Sequence, residues 1–197
     1  MFVVFTCIEV IDIEVSESEK KNLFERFLTY RRRMARICSV QALYLYEIRQ
    51  KNEPEKKLNR KELESEITTV CKNILYCYKN VFLTKQEHSS DKKNKQIDEK
   101  YFFDITLLAA KDITRIDGII EKYLNEKWTV ARLDSVIRSI LRCAVCEVLY
   151  EPKTEIAILT SEYTTIASHF FNGKEIGFIN GIVDKIGKDN RRTDSEA

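Results

Sequence analysis

The chain has 197 residues, of which 44% are hydrophobic and 32% are charged, and its formal net charge is +2. Such a chain is long enough for one sizeable core or two small ones and should fold without disulfides. A net charge this small excludes attraction of a polyanion by the whole molecule, so nucleic-acid binding would require a local basic cluster.

Helical spacing of apolar residues dominates the sequence. Only five glycines and two prolines interrupt it, and apolar residues recur every three or four positions along most of its length. This pattern predicts a mainly helical fold. Near the start, Ile11, Ile13 and Val15 alternate with acids as in a strand, but no partner strand is evident.

The first strong feature is a basic run joined to an apolar stripe between Arg31 and Ile48. A helix starting near Tyr30 would place its cations at the positive end of the macrodipole, which costs about 0.3 to 1 kcal/mol for each cation. Such an unfavourable placement suggests that the cations bind an anionic partner. A capping box at Ser16 and Glu19 would instead leave them in mid-helix. The cluster is then either a solvated face or a binding site for a polyanion. Its arginines are Arg31, Arg32, Arg33 and Arg36.

Three further helices are predicted before residue 125. The second carries apolar residues from Leu63 to Tyr78, with Asn59 as its N-cap. A connector without apolar residues follows from Thr84 to Gln96. The third and fourth helices are expected over about 102–113 and 116–123, with a turn near 112–117.

The second half of the chain predicts three helices around one central element. From Leu133 to Tyr150 apolar residues occupy nearly every side of the helical wheel, as in a helix surrounded by others. Pro152 ends it, and Thr154 is expected to cap the next helix, which closes at Asn172 and Gly173. The last helix is predicted over 174–186, ending at Gly187 before the charged tail KDNRRTDSEA, which should be disordered.

The sequence favours neither a metal site nor an enzyme. Six cysteines lie in apolar or helical stretches and are interpreted as small buried hydrophobes in a reducing compartment. Cys143 and Cys146 form a CxxC without a second pair. We therefore predict no metal, no cofactor and no catalytic residue, since a GxG loop is absent and two histidines suggest no triad. No stretch is long enough to span a membrane and the start is a poor secretory signal, which predicts a cytoplasmic protein.

Three segments resemble the NusB transcription antitermination factor family: RRRMARICSVQALY, ARLDSVIRSILRCAVCEVLY and FFNGKEIGFINGIVDKI. Their order and the helices between them extend the resemblance over about residues 30–187. It implies an all-α fold of about seven helices in two small packed bundles. The corresponding domain prediction is an N-terminal extension (1–29), a NusB-like RNA-binding domain (30–187) and a disordered tail (188–197).

The resemblance also implies a function. NusB proteins bind the boxA element of nascent ribosomal RNA transcripts with ribosomal protein NusE, as part of an RNA polymerase antitermination complex, and they are not enzymes. Basic residues would contact phosphates and aromatic residues would stack on bases. For Phe170 and Phe178 the alternative is burial between the last two helices. The RNA-binding residues implied by the resemblance are Arg31, Arg32, Arg33, Arg36, Tyr123, Phe170 and Phe178.

A second set of residues is implied for contact with a protein partner: Tyr44, Arg138, Arg142 and Lys174. The chain departs from the family pattern at Ile137 and Lys174, where acids are usual, so either its affinity for the partner or its RNA preference is expected to differ. The alternative function is a non-catalytic RNA- or protein-binding module, such as the domain attached to ribosomal RNA cytosine methyltransferases. Homodimer formation is left open.

Overall fold

The computed structural model describes residues 17–52, 58–82, 97–126 and 128–193. Within these ranges it contains seven α-helices and no strand, which confirms the all-α prediction. A π-helical segment, Tyr78–Phe82, continues the second helix, and a 3-10 turn, Val130–Arg132, precedes the fifth. The helices are α1 Glu17–Asn52, α2 Arg60–Cys77, α3 Glu99–Lys111, α4 Ile113–Glu121, α5 Ser135–Tyr150, α6 Ile156–Ala167 and α7 Lys174–Thr193.

The long first helix resolves the two alternative start positions. Helix α1 begins at Glu17 and continues without a break to Asn52. The arginines therefore lie in mid-helix, where they do not oppose the positive end of the macrodipole. The predicted boundary between residues 29 and 30 falls inside this helix.

The helices pack in two groups, and α5 contacts both of them. Helices α1, α2 and α3 pack on one another, and α5, α6 and α7 form the second group, with α4 against α5. Helix α5 also packs against α1 and α3. Every residue of α5 from Ile137 to Val148 is buried, which confirms its prediction as the central helix.

Two predicted N-caps have different outcomes. Asn59 caps α2 as expected, accepting hydrogen bonds from the backbone of Lys61 and Glu62 while Glu62 completes a capping box. Thr154 is not the cap of α6, because Glu155 occupies that position without a side-chain hydrogen bond.

Helix α7 is longer than predicted. It continues through Gly187 to Thr193, so the predicted helix end and the predicted disorder of 188–193 are wrong. Gly187 is a packing position: a methyl group added there would lie 2.6 Å from Cγ2 of Ile156 on α6. The absence of a side chain therefore allows α6 and α7 to approach closely. Helix α6 ends at Ala167, so the prediction that Asn172 and Gly173 close it is wrong. Gly173, with a φ of 109°, does adopt the left-handed conformation, but directly before α7.

Some predictions fall outside the described residues: the strand-like segment near Ile11, the connector 84–96 and the last residues of the tail. Among the helices that the structure describes, none has the length and apolar character that crossing a bilayer requires.

Candidate nucleic-acid interface

The N-terminus of α3 lies against the arginine run of α1. The backbone N–H of Asp98 donates to the carbonyl of Arg31 at 3.3 Å, and the Asp98 side chain caps α3 by accepting from the N–H of Tyr101 at 3.2 Å. Arg31 itself is half-buried, and its Nη2 donates to the carbonyl of Ile97 at 3.4 Å. This contact brings the predicted basic cluster together with an aromatic ring from α3.

Arg36 is inside the protein. Its side chain is buried, and its Nε and Nη2 each donate to the Glu147 carboxylate of α5 at 2.9 Å. Burial alone would lower the pKa of Arg36, but Glu147 outweighs that penalty and raises the pKa above its ordinary value. The prediction that Arg36 contacts RNA phosphates is therefore wrong in this structure, because a buried acid already occupies its guanidinium.

Glu147 is the centre of a buried polar network. Its carboxylate is fully buried and accepts hydrogen bonds from the hydroxyls of Tyr101 and Tyr163, both at 2.6 Å, in addition to Arg36. Burial and the nearby carboxylate raise the pKa of both tyrosines, which keeps their hydroxyls protonated as donors. This network joins α1, α3, α5 and α6 and satisfies a charge that would otherwise be costly to bury.

Arg33 lies at the edge of the same network. Its Nε donates to Glu162 of α6 at 2.9 Å and its Nη2 to the other carboxylate oxygen. Hydrogen bonding to Glu162 raises the pKa of Arg33 despite partial burial. The Arg33 side chain is 36% exposed, whereas that of Glu162 is 6% exposed. Glu162 thus binds one edge of this guanidinium, and the rest of the group remains accessible to solvent.

Arg32 is the exposed member of the run. Its guanidinium carbon lies 4.9 Å from the centroid of the Tyr101 ring, within the range of a cation–π interaction. The side chain is exposed, and the described contact leaves its charge without a neutralising acid. Among the predicted arginines, Arg32 best fits a phosphate contact.

The aromatic predictions separate by position. Phe170, in the turn after α6, is 44% exposed, and Phe178, on α7, is 37% exposed, so neither belongs to the core and both rings have a solvent-accessible surface. Tyr123 lies elsewhere: its hydroxyl donates to Asp189 at 3.1 Å, and Nζ of Lys185 lies 5.7 Å from its ring. The structure therefore joins Tyr123 to α7 rather than to the arginines of α1.

The predicted partner contacts of Arg138 and Arg142 are wrong, because both side chains are buried in ion pairs. Arg138 donates to Glu47 of α1 through Nε, at 2.7 Å, and to three backbone carbonyls through Nη1. Arg142 bridges Glu47, at 3.0 Å, and Asp117 of α4, at 2.7 Å. Their role is to fix α5 against α1 and α4.

The other partner predictions retain access to solvent. Tyr44 is partly exposed on α1, and Lys174 is exposed at the start of α7, so both stay predictions. Ile137, where the family usually has an acid, is buried. The departure at this position therefore adds an apolar residue to the core.

Glu47 is held ionised by the arginines that donate hydrogen bonds to it. Burial opposes its ionisation, but hydrogen bonds from Arg138 and Lys51 lower the pKa of Glu47 to about 2. The side chain of Glu47 is only 11% exposed, so these ion pairs are weakly screened by solvent.

Four of the cysteines are buried as predicted: Cys38, Cys71, Cys143 and Cys146. Burial raises the pKa of the Cys71 thiol to about 11 and that of Cys38 to about 12, which makes both poor nucleophiles. Cys77 is exposed, contrary to the prediction. No group of three or more potential metal ligands occurs in the described part of the chain.

Sequence reasoning missed the acids that neutralise the arginines, namely Glu47, Glu147 and Glu162. A signal was present for Glu147, because an acid within an apolar helix that is buried on all sides requires a cationic partner. The pattern could not identify which arginine supplies that cation. It also missed Tyr101, since a tyrosine at a helix start has no distinctive spacing.

Comparison with known proteins agrees with this architecture. The NusB family model matches residues 33–188. The transcription antitermination protein NusB of Rickettsia felis is 30% identical over 159 residues, which cover 81% of this chain and 92% of that protein. NusB of Sphingopyxis alaskensis is also 30% identical, over 82% of this chain and 95% of that protein.

A solved structure gives the same result for the fold. NusB of T. maritima superimposes with a TM-score of 0.55 at 26% identity, covering 79% of this chain and 89% of that one. The family match spans most of the chain, and the relatives are covered almost completely. The chain therefore belongs to the NusB family.

Proposed function

We propose that this protein is a transcription antitermination factor that binds the boxA element of nascent ribosomal RNA together with ribosomal protein NusE. The observation that carries the proposal is the exposed guanidinium of Arg32 on α1, next to the partly exposed Arg33, in a chain of the NusB family. This role places the protein in the cytoplasm, as a non-catalytic component of an RNA polymerase antitermination complex.

The proposed RNA surface is smaller than the sequence predicted. We exclude Arg36 from the proposed RNA surface, because its buried guanidinium is paired with Glu147. Arg32 supplies the principal phosphate contact, and Arg31 and Arg33 add weaker attraction from partly buried positions. The exposed rings of Phe170 and Phe178 are available for stacking on unpaired bases.

Net charge and local charge lead to the same expectation for affinity. With a net charge of +2 and few accessible arginines, the chain alone should bind RNA weakly and with strong salt dependence. NusE would supply additional contacts, so the two proteins together should bind more tightly. Tyr44 and Lys174 are proposed for the contact with NusE.

A filter-binding titration with boxA RNA, with and without NusE, tests the proposal. Replacing Arg32 by glutamate should abolish most of the binding, because it reverses the charge at the exposed contact. The matched control is Arg60→Glu, which makes the same change at an exposed arginine on α2 and should have little effect. Unaltered RNA affinity in Arg32→Glu would contradict the assignment of this surface. Capture of NusE without RNA would favour a protein-interaction module that has lost RNA binding.

A further inference from the structure

The ring of Tyr101 is the contact that distinguishes Arg32 from the other arginines. Tyr101 lies in the first turn of α3 and is itself buried. Its ring centroid is 4.9 Å from the guanidinium carbon of Arg32 and 5.5 Å from that of Arg36. Arg36 is neutralised by Glu147, whereas the described partner of Arg32 is an uncharged ring, which attracts the cation without cancelling its charge.

This ring is held in place from the interior. The Tyr101 hydroxyl donates to Glu147 at 2.6 Å and accepts from Nη2 of Arg36 at 3.1 Å. At the other end, Asp98 caps the first turn of α3 through the backbone N–H of Tyr101. The ring cannot leave its position without breaking its hydrogen bonds to a buried carboxylate and a buried guanidinium, which would be costly.

We propose that Tyr101 is a positioning residue, whose fixed ring holds the exposed guanidinium of Arg32 ready for a phosphodiester oxygen of single-stranded RNA. The inference rests on the proposed function and adds a residue to it that does not touch RNA. A free arginine side chain loses rotamer freedom when it binds, and a side chain already held on a ring loses less. The ring attracts the cation without supplying a carboxylate, so the guanidinium N–H groups remain available to a phosphate.

The test separates the ring from the hydroxyl. Tyr101→Phe keeps the ring and should bind boxA RNA within about twofold of the unaltered protein, although losing the hydroxyl should lower its midpoint of urea unfolding. Tyr101→Leu removes the ring and should weaken RNA binding about two- to fivefold, the range of an exposed cation–π contact. Because no charge is lost, the dependence of affinity on salt should stay the same in both variants.

The second arm asks whether Tyr101 acts through Arg32. Arg32→Ala should weaken binding and also reduce the salt dependence by about one phosphate contact. In that background Tyr101→Leu should cause no further loss, since the side chain it positions is absent. Arg32→Lys tests the same contact from the surface, without altering the core: it should weaken binding with the salt dependence unchanged.

Three results would overturn this inference alone. Affinity equal to that of the unaltered protein in Tyr101→Leu would show that Arg32 does not need the ring. A loss that persists in the Arg32→Ala background would show that the ring acts through the fold. If Tyr101→Leu does not fold, as circular dichroism would reveal, unaltered affinity in Arg32→Lys is the contradicting result. Absence of RNA binding by the unaltered protein, with or without NusE, would instead overturn the proposed function and this inference with it.

Discussion

Two ion-pair clusters lie along α1, and they use the helix in opposite ways. In the first, which we name the arginine cluster, α1 supplies cations to acids of α5 and α6; its members are Arg33, Arg36, Glu147 and Glu162. In the second, the glutamate cluster, α1 supplies an acid to cations of α5; its members are Glu47, Asp117, Arg138 and Arg142. Both clusters join the two groups of helices.

The two clusters differ in how far their arginines are exposed to solvent. In the arginine cluster exposure increases from Arg36 to Arg33, and the neighbouring Arg32, which is outside the cluster, is exposed and lies against a ring rather than an acid. In the glutamate cluster both arginines are enclosed by carboxylates and backbone carbonyls. An arginine of this fold is therefore available to an anionic ligand only where the acids of neighbouring helices leave its charge uncompensated.

The largest effect on stability is expected from removing the buried cation of the arginine cluster. Arg36→Met should lower the free energy of unfolding by about 3 to 5 kcal/mol, because it leaves Glu147 as a buried and unpaired charge. Urea unfolding measures this loss. The double variant Arg36→Met with Glu147→Gln should be more stable than Arg36→Met alone, since it no longer buries that charge.

A variant at the exposed edge provides the contrast. Arg32→Ala should change the free energy of unfolding by less than about 0.5 kcal/mol, as for other surface substitutions, while it weakens RNA binding. If Arg32→Ala destabilised the fold as much as Arg36→Met, the distinction between an interior and an exposed edge would be wrong.

The glutamate cluster should respond to acid. The pKa of Glu47 is about 2 in the folded protein, against an ordinary value of 4.5. Between these values the unfolded chain binds more protons, so the stabilisation present above about pH 4.5 is lost as the pH falls toward 2. The free-energy difference between the unaltered protein and Glu47→Gln should shrink by about 2 to 3 kcal/mol over that interval.

Urea unfolding at a series of pH values between these limits measures that difference. The subtraction removes the contribution of other acids, because both proteins share them. A difference independent of pH would mean that Glu47 is not held ionised by its arginines.

The fold was largely predictable because it depends on short-range patterns. Apolar spacing located α5 as the central helix, and Asn59 was predicted as the N-cap of α2, which the structure confirms. The end of α7 was not predictable in this way. A glycine at 187 suggests a helix end, but here it allows contact with Ile156, thirty-one positions earlier in the chain.

The candidate site was predicted only in part, for the same physical reason. The sequence identified the arginine run, yet the state of each arginine depends on acids more than a hundred residues away, such as Glu147 for Arg36 and Glu162 for Arg33. The prediction treated Arg138 and Arg142 as partner contacts, whereas Glu47 buries them. Composition and spacing contain no record of these long-range pairs.

The smallest effect concerns Arg33, which is intermediate between the interior and the edge. Glu162→Gln keeps one oxygen that can accept from Arg33 but removes the charge that neutralises it. Partial release of the half-exposed Arg33 guanidinium, worth up to about 1 kcal/mol, should strengthen RNA binding about two- to fivefold at low salt. Filter binding at several salt concentrations would detect the gain, which should disappear as salt increases.

The matched control for this gain is Glu64→Gln. Glu64 pairs with Lys111 at the opposite end of α3, and its replacement raises the net charge by the same amount. Because this charge is distant from the arginines, screening should leave RNA affinity almost unchanged. Equal gains in the two variants would mean that overall charge, and not the release of Arg33, controls binding. A gain confined to Glu162→Gln would show that acids of α6 set how much of the α1 charge reaches RNA.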